Sequence, residues 1–146
     1  MATLDFLGVC EKCLLDERQN VTLVNLLFGL EVKANPPQGA VAIPKIPKNA
    51  VIPNQWAIYV RWKPEDGDAG KDFVQKGMVF WPDGTDFVAL NPSEFKFEKG
   101  KHHQIRADIL GFPAGQVGNV VVKVWLEWDR KRIGEEKTWS ISVTHG

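Results

Sequence analysis

Residues 117–128 read V-G-N-V-V-V-K-V-W-L-E-W, and this stretch decides the fold class. Val120, Val122, Val124, Leu126 and Trp128 take every second position, while Asn119, Val121, Lys123, Trp125 and Glu127 alternate with them. Successive side chains of an extended chain point to opposite faces, so this period predicts a β-strand with one buried face. The remaining strands are expected to form a sheet around it.

Downstream, residues 129–134 form a polar turn, and Trp139, Ile141 and Val143 mark a closing strand. Upstream, His103, Ile105, Ala107 and Ile109 give an inward face that ends at the loop 111–115, Gly-Phe-Pro-Ala-Gly. Residues 72–81 form a strand stopped by Pro82-Asp83-Gly84, a turn sequence, and 87–90 and 95–97 are short strands flanking Asn91-Pro92. In residues 55–63, Trp56, Ile58, Val60 and Trp62 face inward, opposite Ala57, Tyr59, Arg61 and Lys63. An acidic turn, 64–70, follows.

The N-terminal third is less regular. Residues 4–15 and 21–32 read as two strands joined at Asp16-Glu17-Arg18-Gln19-Asn20. Both are apolar on both faces: Phe6, Cys10 and Leu14 lie on one side of the first strand, and Leu7, Val9, Cys13 and Leu15 on the other. Such a pattern requires cover on both sides, one of them the core and the other a following loop or a second copy of the chain. A helix over 21–30 is the competing local reading, because Leu-rich runs fit either period. Residues 35–54 hold Pro36, Pro37, Pro44, Pro47 and Pro53 among apolar residues, which predicts an extended segment lying along the protein's own surface. The whole is a single all-β domain over residues 1–146, an antiparallel β-sandwich of about eight strands, immunoglobulin-like or related.

Composition narrows the function classes. Eighteen basic residues balance eighteen acidic ones, so the chain lacks the positive excess typical of nucleic-acid binders. No apolar run reaches transmembrane length, and residues 1–9 have no basic stretch before their apolar residues, with Asp5 interrupting them. Neither a membrane location nor a secretory signal is expected, and the two cysteines, Cys10 and Cys13, suit the cytoplasm.

A hairpin with the residues Leu14-Leu15-Asp16-Glu17 and Val21-Thr22-Leu23-Val24-Asn25-Leu26-Leu27 opens the chain. It is followed by a proline-rich passage, the Pro82-Asp83-Gly84 turn, and a closing unit running from Gly115 through 120–128 to 139–143. This order resembles a family of small bacterial β-sandwich domains of unknown function. The resemblance spans nearly the whole chain; it implies the fold and no activity.

No constellation carries recognisable chemistry. Cys10-Glu11-Lys12-Cys13 has C-x-x-C spacing, but on a strand positions i and i+3 point apart and no second ligand pair follows. His102 and His103 diverge in the same way, and His145 stands alone in the tail. The turn from Glu65 to Asp72 resembles a calcium loop through Asp66 and Asp68, yet counting from Asp66 the twelfth position is Gly77 rather than a bidentate Glu. Arg130-Lys131-Arg132 is a short run bracketed by acids and reads as a solvated turn. There is no G-x-S-x-G, P-loop or G-x-G-x-x-G, and no cofactor, metal or catalytic residue is expected. Of six tryptophans, Trp56, Trp62, Trp128 and Trp139 fit inward positions, whereas Trp125 shares the polar face with Lys123.

The leading expectation is a non-catalytic module that binds another protein or itself, giving a homodimer, through Leu7, Val9, Leu23 and Leu27 of the doubly apolar hairpin. The alternative is a small-ligand or carbohydrate module using Trp125 and Lys123 as an exposed aromatic face.

Overall fold

The computed structural model describes residues 1–33 and 45–146. Residues 35–44, half of the proline-rich segment, therefore lie outside the described residues. Among the described residues there are ten strands: β1 (Thr3–Leu15), β2 (Val21–Leu26), β3 (Gly29–Val32), β4 (Val51–Lys63), β5 (Phe73–Phe80), β6 (Asp86–Ala89), β7 (Ser93–Phe95), β8 (His103–Pro113), β9 (Gly118–Trp128) and β10 (Lys131–His145). They form two packed sheets, ordered β2-β1-β4-β8 and β3-β10-β9-β5-β6, with β7 pairing β5. This arrangement is consistent with a β-sandwich. No helix among the described residues is long and apolar enough to cross a membrane.

The stretch read first becomes β9, in the middle of the larger sheet between β5 and β10. Val120, Val122, Val124 and Leu126 are fully buried, as the period of two requires. They meet Trp56, Ile58, Val60 and Trp62 from β4 across the space between the sheets, with Val9, Phe73, Val79, Ile141 and Val143 completing the core. Fully burying one such side chain is worth about 1.5–3 kcal/mol, so this interlayer dominates the stability. Its main buried polar contact is self-satisfied: Trp62 Nε1 donates to Gln75 Oε1 at 2.6 Å.

Several expectations from sequence need correction. The run 21–32 is two strands rather than one. Asn25 has a φ of 55°, a left-handed conformation that Asn tolerates and that interrupts the pairing with β1, which resumes for one last pair, Leu26 with Cys10. The chain then crosses between sheets: Leu27 N donates to Val9 O at 2.8 Å, and Ser142 N donates to Phe28 O at 2.9 Å. β3 continues parallel to β10 in the other sheet. The helical alternative for 21–30 is not adopted. The two-sided apolar pattern arises because the two halves of the run pack in different sheets.

Strand β4 starts at Val51, before the expected 55, and takes in Pro53 at a register shift between Ile52 and Gln55. An irregular ladder tolerates a residue that has no N–H. β8 runs through the expected 111–115 loop as far as Pro113, because Val51 and Ile52 pair with Pro113 and Phe112. The turn after β9 is only Asp129-Arg130, with φ values of 52° and 62°, the left-handed pair that closes a tight two-residue hairpin. Gly134 lies inside β10, next to a register shift between Ile133 and Lys137.

Candidate functional site

The β1–β2 hairpin is the part of the fold least absorbed by the core. β1 pairs with β4 from Thr3 as far as Cys10, which lies opposite Ala57. Beyond that point Lys12–Leu15 pair only with β2 among the described residues. The distal hairpin does not project freely. Arg106 Nη1 of β8 donates to Cys13 O at 3.3 Å, and Gln104 Nε2 donates to Gln19 O at 3.3 Å. Both bonds reach across β4, so the hairpin is folded over the outer face of the smaller sheet.

Under the fold lies a second apolar cluster of Cys10, Cys13, Ala57 and Tyr59, with Val21 and Leu23 packed on it. The expectation that Cys10 and Cys13 point to opposite faces is therefore overturned. The strand bends between them, opposite left-handed Asn25, and both thiols enter one cluster. Both are free. Burial pushes the Cys10 thiol up to about 11, with the neighbouring Cys13 adding to the shift. Burial also raises Cys13, against the lowering effect of Arg106. Protonated, buried thiols are poor nucleophiles and poor metal ligands.

The outward side of the hairpin is apolar and open. Leu14 is 53% exposed, Leu15 44%, Leu26 43% and nearby Phe28 62%. Edge strands commonly carry charge, which blocks pairing with foreign strands. At the other free edges, β3 holds Glu31, β6 holds Asp86, and β8 holds Arg106 and Asp108. β2, V-T-L-V-N-L, carries no charge and no proline.

Comparison of the sequence with protein-family models and with curated proteins returns no match.

The residues singled out from sequence separate into three groups. Val9 is fully buried in the intersheet core, and the half-buried Leu7 and Leu27 pack against that core. Leu23 covers the cysteine cluster beneath the hairpin. Lys123 and Trp125 lie on the far side of the molecule, on the outer face of the larger sheet. Trp125 is half-buried, its Nε1 donating to Glu127 Oε2 at 3.1 Å while the Arg132 guanidinium lies 4.2 Å from its ring centre. Lys123 Nζ pairs with Glu136 at 3.2 Å and lies over the Phe80 ring. The Trp125 hydrogen bond and the Lys76 ammonium hold the Glu127 carboxyl below its usual range. A sugar stacking on the face of Trp125 that Arg132 covers has to displace the guanidinium.

The remaining polar candidates have structural partners. Asp68, 1% exposed, accepts from Glu65 N at 2.9 Å and stands 3.7 Å from Lys71 Nζ, so it caps its own turn, while Asp66 is exposed. His103 stacks flat on Phe95 with ring centres 4.0 Å apart, and burial lowers its pKa. His102 is 3.7 Å from Asp5, and His145 Nε2 is 2.7 Å from Ala114 O. Among the described residues no group of three or more His, Cys, Asp or Glu is spaced to hold a metal.

Sequence reasoning missed the outward residues Leu14, Leu15, Thr22 and Leu26. The signal was present: residues 21–30 contain no charge at all.

Proposed function

We propose that the protein is a non-catalytic interaction module that associates through the open β2 edge of its N-terminal hairpin. The fold fits an immunoglobulin-like or related β-sandwich of the small bacterial family it resembles. The cytoplasm suits its two free, buried thiols.

One observation carries the reading. Among the described residues β2 is the free edge strand without a charged residue, and it is flanked by the exposed side chains of Leu14, Leu15, Leu26 and Phe28. An uncharged edge offers a row of backbone donors and acceptors to an added strand, and apolar flanks supply burial on pairing. A second copy of the chain is the favoured occupant. β2 is neutral along its length, so two antiparallel β2 strands meet without like charges opposed, and a two-fold contact is self-complementary.

The test is solution mass by light scattering across a dilution series, for the native chain and for Thr22→Lys and Leu26→Lys. Both positions are exposed, so the substitutions leave the fold intact. A native dimer reduced to monomer by either lysine is the expected result. A native chain that stays monomeric at high concentration rules out self-pairing. A dimer indifferent to both substitutions places the contact elsewhere.

A further inference from the structure

The folded-over hairpin creates a cleft between its turn and the outer face of the smaller sheet. One compartment, about 380 Å³, is floored by Tyr59 and Leu23 with Phe6 alongside. The other, about 760 Å³, opens towards the turn before β8 and is lined by Arg18, Lys96, Lys101 and His102. Arg61, Gln104 and Gln19 line both, so the two compartments are continuous.

Their characters differ. In the first, Phe6 is 41% exposed, and its ring lies 6.0 Å from that of Tyr59. Gly8 lets Phe6 lie low across the strand, since a Cβ there would stand 2.7 Å from the Phe6 ring. In the second, cations dominate. Counting both compartments, the lining holds the cations Arg18, Arg61, Lys96 and Lys101 and the carboxylates Asp5 and Glu98, and Lys96 pairs at 3.4 Å with a third carboxylate, Asp72, outside the lining. Asp5 is held at the junction, 3.3 Å from Arg61 Nε and 3.7 Å from His102 Nε2. Glu98 pairs with Lys101 at 3.1 Å, at the solvent-exposed rim. The Arg18 side chain has no carboxylate within 4.0 Å among the described residues, so its charge is uncommitted in the cleft wall. At the junction the buried Gln104 Oε1 has no hydrogen-bond partner, and Arg61 Nε meets the Asp5 carboxylate as an ion pair without hydrogen-bond geometry. A buried polar atom left unpaired in a concave wall is satisfied by a ligand or by water.

We propose that this cleft binds a small organic anion with an aromatic body: the ring against Phe6 and Tyr59, the anionic head among Arg18, Arg61 and Lys101. The chemistry is that of a carboxylate or phosphate monoester on a flat apolar group. Guanidinium groups provide the directional donors such heads require. The cleft takes Val21 and Leu23 of β2 into its lining, but binding in it does not require pairing at that strand's open edge.

The experiment uses three probes, phenyl phosphate, inorganic phosphate and benzyl alcohol, followed by two-dimensional NMR at low ionic strength. Phenyl phosphate is expected to bind about tenfold more tightly than inorganic phosphate, because half-burying a phenyl ring adds roughly one decade of affinity. Benzyl alcohol is expected to bind more weakly than phenyl phosphate. Arg18→Ala with Lys101→Ala should weaken both phosphates several-fold, while Phe6→Ala should bring phenyl phosphate down to the level of inorganic phosphate. Thermal unfolding of each variant reports whether it is folded, and Tyr59→Phe, which keeps the ring, replaces Phe6→Ala if that variant unfolds: retained preference for phenyl phosphate is then expected. Equal affinity for the two phosphates, or binding indifferent to the arginine and lysine substitutions, overturns the proposal.

Discussion

The indole Nε1 of Trp139 donates to the backbone carbonyl of Leu27 at 2.6 Å, tying β10 to the crossing between β2 and β3. The Trp139 ring is also stacked by Phe28, with ring centres 4.8 Å apart. One side chain thus fixes the point where the chain changes sheets. Without it, the β3–β10 pairing would rest on backbone contacts: four residue pairs and the flanking bonds from Ser142 N to Phe28 O and from Gly146 N to Val32 O.

Trp139→Phe keeps an aromatic partner for Phe28 and removes the donor to Leu27. Leaving that carbonyl unsatisfied should cost about 1–2 kcal/mol of stability. Urea denaturation measures it, and hydrogen exchange should show the loss concentrated in β3. A uniform loss across both sheets would contradict the anchoring role.

The Trp62–Gln75 pair predicts strong non-additivity. Trp62→Phe or Gln75→Leu alone strands a buried polar group, at about 1–3 kcal/mol each. The double substitution leaves nothing stranded and should be less destabilising than the sum of the singles, by about 1 kcal/mol or more. A double-mutant cycle by denaturant titration decides it. Strict additivity would show that water already satisfies these atoms.

The cysteines predict a chemical and a pH signature. Cys10 is raised in the folded state from 9.0 to about 11, so the folded protein holds its proton where the unfolded chain loses it. The associated stability is complete below pH 9 and is lost as pH rises from 9 through 11. Unfolding midpoints measured between pH 8 and 11 should fall, and Cys10→Ala should flatten that part of the profile. A thiol reagent at neutral pH should label neither cysteine until the protein is unfolded. Fast labelling of the native chain would mean that the hairpin opens readily.

Arg132→Ala uncovers one face of Trp125. The exposed cation–π contact is worth about 0.5–1 kcal/mol, so stability should change little. Acrylamide quenching of tryptophan fluorescence should nevertheless increase, because Trp125 is half-buried and loses its lid. If quenching is unchanged, the guanidinium does not shield the ring in solution.

Much of the fold was legible because period-two burial is a local property. β9 and the inward residues of β4 follow from side-chain alternation alone, and the structure buries Val120, Val122, Val124, Trp56, Ile58 and Val60 accordingly. Where local geometry breaks the alternation, the reading failed. The run 21–32 looks continuous because Val, Leu and Phe suit either sheet, and nothing in the letters marks Asn25 as left-handed. Cys10 and Cys13 were expected on opposite faces, and a bend brings them together. Leu7, Val9 and Leu27 read as interaction residues from the letters, whereas the structure packs them in or against the intersheet core and leaves Leu14, Leu15 and Leu26 exposed.

The sequence by itself determined the all-β character, the central strand and the lack of charge along residues 21–30, since each is carried by neighbouring residues. Only the tertiary structure decided which edge stays open, which thiols meet, and that Phe6, Arg18, Arg61 and Gln104 line one cleft. Those relationships join residues far apart in the chain: Gln19 and Gln104 are 85 positions apart, and Cys13 and Arg106 are 93 apart. They depend on how the hairpin bends and which layer it folds over, and no local pattern encodes that choice.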